Sequence, residues 1–334
     1  MCYTKIVANK FTITMKKYII VSSVIALVVI GIGLYFALNM QRAGSNLAKN
    51  NASQTVPVQS ENTQPTTNTP QPNNPTVTET QPQTPVSNGQ TVIGKSVGGR
   101  DITAYQFGTG DKEILLVGGI HGGYSWNTSL LAYQLMDYLK ANPTVIPANI
   151  KVTVIPALNP DGLSKVVDAT GPFKSSDVST SPAARTAGRF NADNVDLNRN
   201  FDCGWKANAV WQNTTVSGGT AVFSEPESAA IRDYAQAHQL TALVAWYSSG
   251  GGVYSSSCSA SILPETQTIT DIYAKASGYA AYKNFESYAV SGDMTDWFAK
   301  NNIPAIGVLL TTANDTELDK NQAGIMALLL HYAQ

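Results

Sequence analysis

The amino-acid sequence predicts an α/β domain with a mixed, largely parallel central sheet flanked by helices. Three observations carry that expectation. The runs Ile114 to Val117, Ala242 to Trp246 and Ile306 to Leu310 are short and continuously apolar, as strands covered on both faces are. Helix-period segments alternate with the strands, an order that favours parallel pairing. The polar, motif-bearing segments follow strands, and loops beyond strand C-termini carry the sites of such folds.

The chain has 334 residues, 43% of them hydrophobic, enough for one full core plus long extensions. A formal net charge of −1 gives no basic surplus for nucleic acid. Residues 1–17 contain Lys5, Lys10, Lys16 and Lys17, and residues 18–39 are apolar and uncharged. That length crosses the hydrocarbon core as a helix, and the lysines hold residues 1–17 in the cytoplasm. The expectation is an uncleaved, single-pass signal-anchor in the cell membrane, with the C-terminal domain extracytoplasmic. The rival is a cleaved signal peptide and a secreted protein. Against it, the run exceeds a usual signal-peptide core and no clear small-x-small cleavage site follows. Met15-Lys16-Lys17 resembles a signal-anchor start, so Met1 and Met15 both stay open as the first residue. Residues 40–88 carry Gln, Thr, Asn and Ser, with seven prolines between Pro57 and Pro85. Such a segment cannot bury enough apolar surface to offset its ordering entropy, so a disordered tether is expected.

Residues 89–334 form the globular domain. Thr91 to Ile93 and Asp101 to Phe107 read as strands around the turn Val97-Gly98-Gly99-Arg100. After the Ile114 strand and a loop with His121, a helix from about Asn127 to Leu139 sets Leu131, Leu135 and Leu139 on one face. Lys151 to Pro156 is a further strand, ended by the turn Asn159-Pro160-Asp161-Gly162. Ser224-Glu225-Pro226-Glu227 opens a helix with Ser224 as the expected cap. Asn321 to Tyr332 closes the chain as a helix. Cys203 and Cys258 lie outside the membrane on this topology and form either one bridge or two buried thiols.

The chemistry concentrates in two runs. Gly119-Ile120-His121-Gly122-Gly123 follows the third strand, and Gly188-Arg189-Phe190 leads into Asn194-Val195-Asp196-Leu197-Asn198-Arg199-Asn200-Phe201. Together they resemble the zinc carboxypeptidase family of carboxypeptidase A-like metallocarboxypeptidases, over about residues 93–330. The resemblance implies that Asn198 and Arg199 bind a substrate's terminal carboxylate, which suits the planar, bidentate arginine fork. It implies that Arg189 polarises the scissile carbonyl. It makes Tyr288, in Tyr288-Ala289-Val290-Ser291-Gly292, the residue that folds over the bound C-terminus. Thr295 falls at the specificity-pocket position; small and uncharged, it disfavours a pocket for Lys or Arg side chains.

Zinc is the family's cofactor, and a catalytic zinc needs three protein ligands and an open position. His121 matches the first ligand. The second, a glutamate three or four residues on, is replaced by Tyr124 or Ser125, and the third, a histidine ending a central strand, by Tyr247. Leu309 stands where the family has its general-base glutamate. Neutral hydroxyls are poor zinc ligands, and leucine cannot accept a proton, so zinc is not expected here. Glu317 reads as a loop charge, His238 and His331 as helix-terminal or surface residues. Three readings of function follow: a tethered, inactive domain that binds peptide or peptidoglycan-peptide C-termini; an active zinc carboxypeptidase with non-standard ligands; and a structural or adhesion domain.

Overall fold

The strands are β1 (Gln90–Lys95), β2 (Asp101–Phe107), β3 (Lys112–Val117), β4 (Ile150–Ile155), β5 (Asn208–Trp211), β6 (Thr214–Ser217), β7 (Leu240–Ser248), β8 (Gly252–Ser255), β9 (Ala281–Tyr282) and β10 (Ala305–Leu310). Eight of them make one mixed sheet in the order β1-β2-β4-β3-β7-β10-β8-β9, while β5 and β6 pair as a separate hairpin. The middle strands β4, β3, β7 and β10 are mutually parallel. The edges are antiparallel at β1–β2–β4 and β10–β8, with β9 parallel to β8. The computed structural model describes residues 89–334 apart from Thr170 and Ala260. The expected cytoplasmic segment, anchor and linker lie outside the described residues. Among those described, no helix is long and apolar enough to cross a membrane.

The helices are α1 (Trp126–Ala141), α2 (Pro160–Ser164), α3 (Pro182–Ala187), α4 (Pro226–Ala237), α5 (Pro264–Ser277), α6 (Met294–Lys300) and α7 (Leu318–Tyr332). Alternation along the strands divides the core. Ile114, Leu116, Val244, Trp246, Ile306 and Val308 pack against α1, α5 and α7. Leu115, Val117, Leu243, Ala245 and Tyr247 pack against α4 and α6. Both faces are covered, which is why the strands read as unbroken apolar runs. Leu131, Leu135 and Leu139 are all buried, as their spacing predicts. Ser224 does not cap α4, whose cap position is Glu225 with no side-chain bond. Instead Asn200 Nδ2 donates to the Ser224 hydroxyl, and that hydroxyl donates to Glu225, so tertiary contacts displaced the local cap. The cysteine alternatives resolve to a Cys203–Cys258 bridge, with 5.7 Å between Cα atoms.

At the strand N-termini, buried Glu113 accepts hydrogen bonds from Thr153 Oγ1 at 2.6 Å and Tyr234 Oη at 2.5 Å. Lys151 Nζ lies 2.7 Å and His238 Nδ1 2.9 Å from its other oxygen. His238 is thus a partner of the carboxylate, stacked on Tyr234, and His331 pairs with Glu265. Burial alone would raise the Glu113 pKa, but bonds from Lys151, Thr153, Tyr234 and His238 outweigh it and hold the value at about 2. A depressed folded pKa stabilises above the ordinary value and loses that stabilisation as pH falls through about 2. About 3 kcal/mol should therefore disappear between the ordinary carboxylate range and pH of about 2. Acid titration of melting temperature should show this step in the wild type and not in Glu113→Gln; identical slopes would exclude the role.

Candidate functional site

A cleft of about 720 Å³ opens at the C-terminal ends of the parallel strands. His121, Arg189, Asn198, Arg199, Tyr247, Tyr288, Thr295 and Leu309 all line it, so the residues expected to form one site do meet. Ser125 lies just below the surface, its hydroxyl 3.4 Å from the Ser248 carbonyl. Tyr124 instead packs edge-on to Trp211 in the cleft wall.

The loop after β3 presents His121 because it turns tightly at Gly122, with φ of +40°. A Cβ at Gly122 would lie 2.6 Å from the Gly188 carbonyl oxygen, so a side chain there would push apart the two motif segments. His121 is 6% exposed, and its Nδ1 is 3.5 Å from Asp196 Oδ1 without forming a hydrogen bond. Burial, and then the charge of Arg189, keep its pKa well below the ordinary value despite the opposing pull of Asp196.

Asp196 organises the wall. Its carboxylate is fully buried, which works against its charge, but Arg189 reverses the balance and lowers its pKa. Arg189 places Nε 2.9 Å and Nη2 2.8 Å from Asp196 Oδ2. Its guanidinium also lies 4.3 Å from the Trp211 ring centroid and 5.5 Å from that of Tyr124. Arg189 is accordingly anchored in place. Arg199 is different: its Nε donates to the Val210 carbonyl at 3.0 Å and Nη1 to the Asn198 carbonyl at 2.6 Å. No carboxylate pairs with it among the described residues. Asn198 donates to Asp293 Oδ2 at 2.7 Å and accepts from the Met294 amide at 3.0 Å, which leaves one amide hydrogen free.

The loop carrying Tyr288 is fixed at its base. Gly292 donates to the Cys203 carbonyl at 2.7 Å and accepts from the Phe201 amide at 3.1 Å. With φ of +67° and a hypothetical Cβ 2.2 Å from the Arg199 carbonyl oxygen, only glycine fits there. Tyr288 itself is half-buried, edge-on to Phe285 at 5.0 Å.

In β7 and β10 the positions implied to hold metal and base face each other. Tyr247 and Leu309 are in register across the two strands. Tyr247 is 8% exposed, its hydroxyl has no hydrogen-bond partner, and burial pushes its pKa well above the ordinary tyrosine value. Glu317 is not in the cleft. It stands at the N-terminus of α7 and accepts from the Thr311 amide, Tyr279 and Lys320. Among the described residues, no three His, Cys, Asp or Glu side chains converge as a metal site.

Three functional candidates escaped the sequence reading. Asp196 lay inside the quoted motif and could have been found there. Trp211, on the β5–β6 hairpin, left no local signal. Asp296 lines the cleft beside Thr295, and burial followed by the neighbouring charge of Asp293 raises its pKa to about 7. Thr295 is indeed small and uncharged, and its hydroxyl donates to Asp293 at 2.7 Å. The electrostatic character of this end of the cleft comes from the next residue.

The sheet order, the cleft at the strand C-termini and the two motif segments in its wall define a peptidase-type α/β domain. The zinc carboxypeptidase family model matches residues 79–324, and the chain belongs to that family. It is 26% identical over 230 residues to γ-D-glutamyl-L-diamino acid endopeptidase 1 of Lysinibacillus sphaericus, covering 63% of this chain and 57% of that protein. It is 32% identical over 122 residues to human carboxypeptidase Z, covering 33% of this chain and 17% of that protein. The chain therefore spans well under two thirds of these relatives. Among solved structures, murein-tripeptide amidase MpaA from Escherichia coli O157 matches with a TM-score of 0.51 at 19% identity, over 73% of this chain and 92% of that one. Bovine thrombin-activatable fibrinolysis inhibitor matches at 0.56 and 16% identity, over 73% and 90%. Both share the fold.

Proposed function

We propose that this chain is a membrane-tethered, extracytoplasmic domain that grips peptide or wall-peptide C-termini without hydrolysing them. The observation that carries this reading is Arg199, a buried guanidinium lining the cleft whose hydrogen bonds go only to backbone carbonyls. A buried charge without a counter-charge is costly, and an arriving carboxylate relieves that cost. Asn198 has a free amide hydrogen beside it, and Tyr288 lines the same cleft, where it would close over the ligand. The relative named as a γ-D-glutamyl-L-diamino acid endopeptidase supports wall peptides as the ligand class. The tether rests on the apolar, uncharged residues 18–39 behind their lysines.

The residues present do not fit zinc. His121 is one nitrogen donor, while Ser125 and Tyr247 offer neutral hydroxyls, the latter with its pKa pushed further from ionisation. Leu309 can neither take a proton from water nor return one to a leaving amine. Asp196 is committed to Arg189 and is not available as a base beside His121. Family membership favours a second reading, a working zinc hydrolase with donors from elsewhere, and metal content separates the two.

Calorimetry with one peptide as free acid and as C-terminal amide tests the grip. The free acid should bind about tenfold or more tightly, the worth of a charge-assisted bond. Equal binding would leave a structural or adhesion domain with an idle pocket.

A further inference from the structure

At the outer edge of the sheet one aromatic ring faces solvent. Tyr282, on β9, is 43% exposed, and it is the one large aromatic side chain left exposed among the described residues. Its place is built. β9 pairs with β8 in parallel and sets Tyr282 in register with Tyr254, so the two rings leave the sheet on one face and stack at 4.8 Å and 16°. Tyr254 covers one face of the Tyr282 ring, and the exposure falls on the other. Gly252 makes room for the pair: its φ is +144°, and a Cβ there would lie 2.6 Å from Tyr282 Cε2 and 3.2 Å from Tyr254 Cε2.

The aromatic surface continues inward. Phe285 is edge-on to Tyr254 at 5.7 Å, and Tyr288 is edge-on to Phe285 at 5.0 Å. Tyr254, Phe285 and Tyr288 line the cleft while Tyr282 lies just outside it, so the four rings run from the cleft to the surface. The polar groups along this path are neutral. Asn284 and Ser287 line the cleft, and their side chains hydrogen-bond to nothing else among the described residues. The two charges of the same loop, Lys283 and Glu286, are exposed and do not line the cleft. A charged ligand calls for a counter-charge, and an apolar side chain for a pocket; a flat exposed ring flanked by an amide and a hydroxyl offers neither. A neutral sugar ring fits it. Its C–H face packs flat on an aromatic face, and its rim of hydroxyls both donates and accepts, as amide and hydroxyl side chains do.

We infer that Tyr282, backed by Tyr254, is a binding platform for one neutral sugar ring, with Asn284 and Ser287 beside it for the sugar's hydroxyls. The platform lies at the mouth of the cleft, so a glycan joined to a gripped peptide is held along with it. The sugar site uses neither Arg199 nor Asn198, and it stands or falls separately from the carboxylate grip.

The test titrates the full chain by calorimetry with soluble tetramers of N-acetylglucosamine and of glucose. At least one should bind saturably. Tyr282→Leu keeps apolar bulk and loses the flat ring, and it should weaken that binding about fivefold or more. Tyr282→Phe keeps the ring and should stay within about twofold of the wild type. In both variants the preference for free-acid over amidated peptide should be unchanged. No saturable binding of either tetramer would overturn the inference and leave the carboxylate grip to its own test. Undiminished sugar affinity in Tyr282→Leu, with the melting temperature of the wild type, would place the sugar elsewhere and also overturn it. Equal losses in Tyr282→Leu and Tyr282→Phe would replace stacking by a phenol hydrogen bond, against the inference. If Tyr282→Leu weakens a sugar-free peptide as much as a tetramer, the platform belongs to the peptide grip and the inference fails.

Discussion

Restoring Ser125→Glu, Tyr247→His and Leu309→Glu together should bring back one tightly bound zinc per chain and measurable peptide hydrolysis. Water activation in this fold needs metal and base at once, so the gain belongs to the set. Tyr247→His should supply a nitrogen donor in the strand that flanks His121. Leu309, in register with Tyr247 and half-buried in the cleft, is the position from which a glutamate can reach water between them. No single change should yield turnover, because each leaves at least one ligand or the base missing. Zinc at about a hundred times its Kd should stabilise the triple variant by about 2.7 kcal/mol and leave the wild type unmoved. Replacing Ser125→Glu by Tyr124→Glu in the set tests the ligand spacing. Tyr124 turns toward Trp211 and Arg189, so that version should bind zinc less tightly.

Arg199→Ala should weaken binding of a free-acid peptide by about 1.5–3 kcal/mol and leave amide binding nearly unchanged. The substitution also frees the carbonyls of Val210 and Asn198, so melting temperature must be followed alongside. Arg199→Lys separates the two effects. It keeps the charge and loses the fork, so binding should fall part of the way. An Arg199→Ala variant that binds acid and amide as the wild type does would show the pocket to be idle.

Much of the fold was legible because its physics is local or periodic. β3, β7 and β10 are buried on both faces, and nothing but a continuous apolar run satisfies that environment. α1 was legible from the spacing of Leu131, Leu135 and Leu139, all buried. By contrast, α5 begins at Pro264 with a largely polar sequence, and only packing of Ile269 and Tyr273 against the sheet defines its face. The two-residue β9 is set by its neighbour β8, since two residues carry no period. Ser224 shows a strong local motif overridden by a distant asparagine.

The site divides in the same way. The family resemblance singled out His121, Arg189, Asn198, Arg199 and Tyr288, and the fold brings all five to one cleft, with Gly122 and Gly292 fixing the loops that carry them. What the sequence does not express is which charges find partners. Arg189 and Arg199 look alike in the chain, yet Asp196 pairs with one while the other bonds only to backbone carbonyls. Asp293 and Asp296 are three apart, yet one caps a helix and the other accepts a single amide bond, from Ser257. The disulfide is also tertiary information: Cys203 and Cys258 are 55 residues apart and meet where the Arg199 segment passes the Ser257 loop.

The most direct measurement is zinc stoichiometry and affinity on the purified full chain, by metal analysis and calorimetric titration with chelator controls. A site that grips without cutting should show no stoichiometric zinc, no saturable binding at micromolar metal and no loss of melting temperature on chelation. One zinc per chain, held through purification and removed by chelator with a large fall in melting temperature, would contradict it.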